Sequence, residues 1–188
     1  QDTSSAASDV YKRQEWGRLG GWTSSSGRGW ANLSNAPFRM YKRYTHEGGV
    51  ATPLIVHWPA GLKSQGELRH TPSHIIDIAP TCLSAAGLLV KGIEGKSLLP
   101  VFARDSKEER TLYWEHEGNR AVRKGNYKLV AMHDVPWELY DMNKDRSELN
   151  DLSKKMMGKA KELRLLYEAW AKRVGALPWN EVVSTRKK

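Results

Sequence analysis

The sequence predicts an α/β fold in two parts: the end of a larger α/β domain, then a small antiparallel sheet packed on a C-terminal helix. Three observations carry this expectation. A charged loop from Lys42 to Gly49 runs onto a short apolar segment, Leu54-Ile55-Val56, and a helical stretch follows it. Short period-two runs separated by turn residues fill Arg110 to Asp141. One apolar stripe then recurs at alternating steps of four and three through Met156, Ala160, Leu163, Tyr167, Trp170 and Val174.

Residues 1–14, QDTSSAASDVYKRQ, are polar and Ser/Ala-rich with no apolar core of signal-peptide length; they are expected to be disordered and possess a non-native look in SDVYKRQ. Trp16 to Ser34 is rich in Gly, Ser and Trp without periodicity and reads as a loop. Asn35 to Arg39 is an entry loop. Glu47-Gly48-Gly49 closes the charged segment, with paired glycines that permit positive φ or a close backbone approach. Leu54-Ile55-Val56 reads as a strand covered on both faces, and a buried helical turn would share its pattern. Ala60 to Glu67 reads as an exposed turn.

A helix is expected from Thr71, as N-cap, and Pro72, at the first helical position, to a stop at Gly87. Its apolar positions are Ile75, Ile76, Ile78, Ala79, Cys82, Leu83 and Ala86, with an interior kink at Pro80. Strands are expected at Thr111–His116, Asn119–Arg123, Tyr127–Met132 and Trp137–Asp141, forming an antiparallel meander. The last helix takes Asp151 or Ser153 as its cap, ends at Gly175 and packs its stripe on the meander.

The chain has 188 residues and a net charge of +9, enough length for a core and enough charge to suit a polyanion. That charge is spread along the chain, apart from Arg186-Lys187-Lys188, so it describes a basic surface more than a nucleic-acid stripe. The single cysteine, Cys82, excludes an internal disulfide and reads as a small buried residue. Gly95-Lys96-Ser97 lacks the upstream glycine of a phosphate loop, which excludes a nucleotide site of that kind. No His/Cys/Asp spacing makes a strong metal site. Asp77 reads as a structural, capping or pairing residue.

Lys42, four intervening residues, Glu47-Gly48-Gly49, then Pro53 and an apolar run closed by Trp58-Pro59 resemble the late active-site segment of type I sulfatases, arylsulfatase-like members of the alkaline phosphatase superfamily. Ile76-Asp77-Ile78-Ala79-Pro80-Thr81, Gly95 to Pro100 and Trp137-Glu138-Leu139-Tyr140-Asp141 extend the resemblance over roughly Gly21 to Trp179, most of the chain. The resemblance implies an alkaline-phosphatase-like fold: residues 15–108 as the C-terminal part of the catalytic α/β domain, 109–179 as a C-terminal α+β subdomain, and 180–188 as a basic tail. It also implies a sulfuric ester hydrolase in which Lys42 binds the sulfate group, since a compact ammonium on a flexible stem can follow charge developing on oxygen.

His46, close to that lysine, and His116, at a polar strand end, are candidate substrate-binding residues; a surface pairing is the competing reading for His116, and His57 reads as a satisfied strand-end histidine. The family uses calcium and a formylglycine made from a cysteine in Cys-x-Pro-x-Arg or Cys-x-Ala-x-Arg. Cys82 is followed by Leu83-Ser84-Ala85-Ala86 and does not fit, and no Asp-Asn-Gly segment is present, so this chain alone is expected to be inactive. The expected partners are a small-molecule or glycan sulfate ester and a missing N-terminal part of the same polypeptide, with no nucleic acid and no membrane. Family analogy implies a periplasmic or secreted enzyme. Two alternatives stay open: a phosphodiesterase or phosphonate hydrolase of the same superfamily, and a non-catalytic basic module that binds polyanions with salt-dependent affinity.

Overall fold

A computed structural model describes residues 27–63, 66–106 and 108–185. The expectation for residues 1–14 lies outside them, as does the start of the Trp16–Ser34 segment. The rest of that segment is not a loop: Gly27–Ser34 forms a helix, α1.

The described residues contain a four-stranded antiparallel meander, in the order β1-β2-β3-β4. The strands are β1 (Thr111–His116), β2 (Asn119–Lys124), β3 (Tyr127–Ala131) and β4 (Glu138–Asp141). The first two turns are two-residue hairpins, Glu117-Gly118 and Gly125-Asn126, with positive φ at Glu117, Gly118 and Gly125. That backbone suits the tight turns that match strand twist.

Strand alternation divides the sheet into two unlike faces. On one, Val122, Leu129 and Leu139 are buried against Leu163 and Tyr167 of the last long helix, α5 (Met157–Val174). Trp137 meets Tyr167 edge-on at 5.3 Å, and Tyr113 stacks on Trp170 at 5.0 Å. The stripe read from sequence therefore packs as expected from Met156 to Trp170, while its last member, Val174, is exposed, and Gly175 ends the helix with φ 71°. The expected cap does not form. Met156 is the N-cap and supplies no side-chain bond, whereas Asp151 accepts hydrogen bonds from Leu139 N, Ser153 N and Ser153 Oγ. It ties the approach to β4 instead.

The other face holds Ala121, Val130 and Tyr140 together with the charged Lys128 and Glu138. The segment from Asn35 to Val50 lies across it, including a one-turn helix, α2 (Glu47–Val50).

Between these elements the predicted helix starts later than its sequence signals. Thr71 does not cap it. Its N–H and hydroxyl donate to Asp105 Oδ1, and His74 is the N-cap of a 3₁₀ turn, Ile75–Asp77, in a reciprocal capping box with Asp77. The helix α3 (Ile78–Ala85) follows, so Pro80 falls in its first turn, where a missing N–H costs nothing and no kink is needed. Asp77 is fully buried and takes a two-pronged ion pair from Arg110, at 2.5 and 2.6 Å, plus the Lys96 N–H. Its structural reading is correct. Cys82 is exposed, correcting its assignment to the core.

Leu54-Ile55-Val56 is not a strand, and Ile55 is 89% exposed. A strand needs a hydrogen-bonding neighbour, and among the described residues none runs beside it. His57 is likewise exposed rather than satisfied at a strand end. Ile75, Ile76, Ile78, Leu88 and Leu89 are also exposed. Leu99–Ala103 (α4) and Trp179–Thr185 (α6) complete the described elements, so the expected tail is helical through Thr185. No helix among the described residues is long and apolar enough to cross a membrane.

Candidate active site

The site is built on the loop that carries Lys42. Phe38, Arg39 and Met40 lead in, and the Tyr44 N–H donates to the Tyr41 carbonyl at 3.1 Å, closing a tight turn with Lys42 and Arg43 at its tip. Met40 and Arg43 hold φ of 67° and 94°. Positive φ in a non-glycine residue costs about 1–3 kcal/mol, so this backbone persists only if its surroundings hold it.

Those surroundings include the glycine pair. A Cβ on Gly48 would lie 2.1 Å from the Met40 carbonyl oxygen, and one on Gly49 would lie 2.0 Å from the Tyr44 carbonyl oxygen. Both glycines are present because the backbone passes this close. Neither has positive φ. The Gly48 N–H donates to the Arg39 carbonyl at 2.9 Å, which fixes the base of the loop to α2.

Side chains from the charged face of the sheet hold the loop at three places. Arg39 Nη1 donates to Glu138 Oε2, Tyr140 Oη and the Glu148 carbonyl at 3.2, 2.9 and 3.2 Å. His46 is buried, with Nε2 3.3 Å from Glu138 Oε2. A carboxylate only accepts, so this contact selects the Nε2–H tautomer. Burial pushes the His46 pKa below the usual imidazole range, against the opposing pull of Glu148 and Glu138, and keeps the ring neutral near pH 7. At the third place, Lys128 of β3 is fully buried between Glu47 and Glu148, with Nζ 3.0 Å and 2.8 Å from their Oε1 atoms.

Glu47 also receives Arg146 Nη2 at 3.1 Å, and its own N–H donates to Glu148 Oε2 at 2.8 Å. Burial would raise the Glu47 pKa, but Lys128 and Arg146 outweigh it and hold the carboxyl below its usual range. Beyond these three, the β1–β2 turn reaches the loop tip from the side. Arg43 Nε pairs with Glu117, and Asn119 Nδ2 donates to the carbonyls of Arg43 and His116, at 3.3 and 3.0 Å.

The sequence-derived candidates therefore occupy three different environments. Lys42 is exposed, with no hydrogen bond or ion pair among the described residues, while its neighbours Arg39 and Arg43 are both paired. His116 is exposed at the end of β1, beside the turn that grips Arg43. His46 lies beneath the loop rather than on its outer surface. Lys128, Glu148 and Glu138 were not singled out from sequence. The available signal was a lysine inside the apolar run of β3, Tyr127-Lys128-Leu129-Val130-Ala131, which must meet counter-charge if both faces are covered.

Residues 38–170, most of the chain, match the family model described as N-sulphoglucosamine sulphohydrolase, C-terminal. The chain belongs to the sulfatase family and carries its C-terminal region. An uncharacterized sulfatase of Schizosaccharomyces pombe is 31% identical over 160 residues, 74% of this chain and 29% of that protein. An N-acetylglucosamine-6-O-sulfatase of Bacteroides thetaiotaomicron is 33% identical, over 68% of this chain and 26% of that protein. Among solved structures, Ps i-CgsB aligns with a TM-score of 0.64 and 26% identity, covering 74% of this chain and 34% of that one; it is also known in complex with k-i-k-neocarrahexaose. The chain thus spans about a third or less of the proteins it matches. The alkaline-phosphatase-like assignment agrees with these sulfatase neighbours.

The described residues contain no cluster of three or more His, Cys, Asp or Glu able to hold a metal ion. Cys82, exposed on α3 and followed by Leu83-Ser84-Ala85-Ala86, does not fit a formylglycine precursor. Neither calcium nor formylglycine is accommodated by these residues.

Proposed function

We propose that the complete polypeptide hydrolyses sulfate esters and that Lys42 is the cation that binds the sulfate group. One observation carries this reading: Lys42 stands at the tip of a strained, glycine-locked loop with no partner among the described residues, while the arginines beside it are engaged by carboxylates. A monoanionic sulfate ester gains negative charge on its bridging oxygen as the S–O bond breaks. A preorganised ammonium in contact with the sulfate oxygens stabilises that charge more than the ground state. Lys42 contributes charge, and no bond to it forms or breaks.

In this reading His116, exposed beside the β1–β2 turn that pairs with Arg43, would meet the remainder of the substrate. His46 supports the loop from below. The substrate class is a glycan sulfate ester. The 33% identical relative is an N-acetylglucosamine-6-O-sulfatase, and a mouse relative, 36% identical over 50% of this chain, is an N-acetylgalactosamine-6-sulfatase. The matched relatives give no support to the phosphodiesterase or polyanion-module alternatives. Calcium and formylglycine, with the nucleophilic chemistry they supply, would come from other segments of the polypeptide, and a periplasmic or exported site fits such substrates.

The test is turnover by the complete polypeptide of a 6-O-sulfated N-acetylhexosamine, an aryl sulfate and an aryl phosphodiester. Release of inorganic sulfate, with the phosphodiester far slower, is the expected result. Preferential cleavage of the phosphodiester would overturn the assignment.

A further inference from the structure

We propose that Lys128 is a positioning residue for Lys42: from β3 it clamps the Glu47 carboxylate directly and the Glu47 backbone through Glu148, and so fixes the loop that presents the reactive ammonium. The inference rests on the reading of Lys42 given above and adds the C-terminal sheet to the catalytic apparatus.

The burial pattern makes the case. Lys128 is 0% exposed, as is Glu148, and Glu47 is 5% exposed. Buried charges of this kind cost desolvation, and well-packed apolar residues of similar volume often serve stability as well or better. The arrangement is therefore poorly explained as packing. Its geometry has a direction instead. Lys128 Nζ reaches Glu47 Oε1 at 3.0 Å and Glu148 Oε1 at 2.8 Å, and Glu148 Oε2 accepts the Glu47 N–H at 2.8 Å. Carboxylate and backbone of one residue, Glu47, both lead back to Lys128, with Arg146 adding a second contact to the carboxylate at 3.1 Å.

Glu47 opens α2, and the next two residues are the glycines that touch the Lys42 loop at its Met40 and Tyr44 carbonyls. A shift of Glu47 must move Gly48 and Gly49, and these cannot move toward the loop without collision or away without losing the bond from Gly48 N–H to the Arg39 carbonyl. The strained residues Met40 and Arg43 sit in that same loop, so it has a reason to relax once released. The indole of Trp114, 5.9 Å from Lys128 Nζ, completes the enclosure on the β1 side. Lys128 does not approach the substrate; its effect passes through Glu47 to Lys42.

A double-mutant cycle in the complete polypeptide tests this. Lys128→Met is expected to lower kcat and kcat/KM together by about 100-fold, the penalty of a misplaced catalytic group. In a Lys42→Ala background the same change should cost no more than about twofold further, because the group it positions is already gone. A simply structural role would give the same loss in both backgrounds and would overturn the inference, as would a Lys128→Met enzyme with wild-type kcat. If Lys128→Met does not fold, Glu47→Gln, which keeps the shape and removes the charge held by Lys128, enters the same cycle with the same two outcomes. Wild-type activity in Lys42→Ala alone would instead overturn the role of Lys42 itself, a failure visible before the second substitution is made.

Discussion

The two faces of the C-terminal sheet use opposite physics. The face toward α5 is apolar: Val122, Leu129, Leu139, Leu163 and Tyr167 exclude water without directional demands. The face toward the Lys42 loop is charged: Lys128, Glu47, Glu148, Glu138 and Arg39 are paired at defined distances. The first makes the fold stable. The second gives up some of that stability to fix where one loop lies. The C-terminal sheet is thereby tied to the proposed sulfate-binding residue.

Changes on the two faces should separate cleanly. Among backbone changes at the charged face, a large loss of activity with a folded sheet is expected for Gly49→Ala. Its Cβ would meet the Tyr44 carbonyl oxygen at 2.0 Å, and backbone must yield. A loss of kcat near 100-fold, with a far smaller change in unfolding midpoint, is the expected pair of readings. Loss of folding without loss of specific activity would place the glycine in the stability account instead.

Leu163→Ala should do the reverse. It empties a fully buried position against Leu129 and Leu139 and is expected to cost about 2–5 kcal/mol in denaturant unfolding. The kcat of the molecules that remain folded should hold near wild type. A large kcat loss there would show that the faces are not independent.

The smallest effect is a pH dependence. His46 has its pKa lowered by burial, so between its folded value and the ordinary 6.5 the unfolded chain binds more protons. Stability should therefore fall as pH drops below 6.5, with the half-buried His74 adding to the same window. The depressed carboxyl of Glu47 acts lower: its contribution is complete above 4.5 and disappears as pH falls through its folded value. His46→Gln should flatten the upper window and leave the lower one. An unchanged upper slope would assign that window to His74.

Much of this architecture is legible in the sequence because it rests on local rules. Three of the four strands begin where period-two patterning and turn residues place them, β4 begins one residue later than expected, at Glu138, and α5 ends at Gly175 as its stripe predicts. The glycine pair was readable as a close approach, although which of its two possible reasons applied was not. Other features depend on partners distant in sequence. Thr71 and Pro72 carry every local mark of a helix start, yet Asp105 takes the threonine and His74 becomes the cap. Lys128 would face solvent in a sheet covered on one side; its burial appears only once the Lys42 segment covers the second face. Leu54-Ile55-Val56 has the composition of a buried strand but lacks a neighbour among the described residues. Lys42 itself was found through its motif, since one exposed lysine has no periodic signature.

The most direct test of the proposed site is kcat/KM of Lys42→Ala against wild type on a sulfate ester, in the complete polypeptide. A loss of roughly 10²–10³-fold at unchanged thermal midpoint is expected, the size seen when one charge-stabilising donor is removed. Because Lys42 is exposed and unpaired among the described residues, no stability change should accompany it. A kcat/KM near wild type would contradict the assignment and leave the clamped loop without a catalytic purpose.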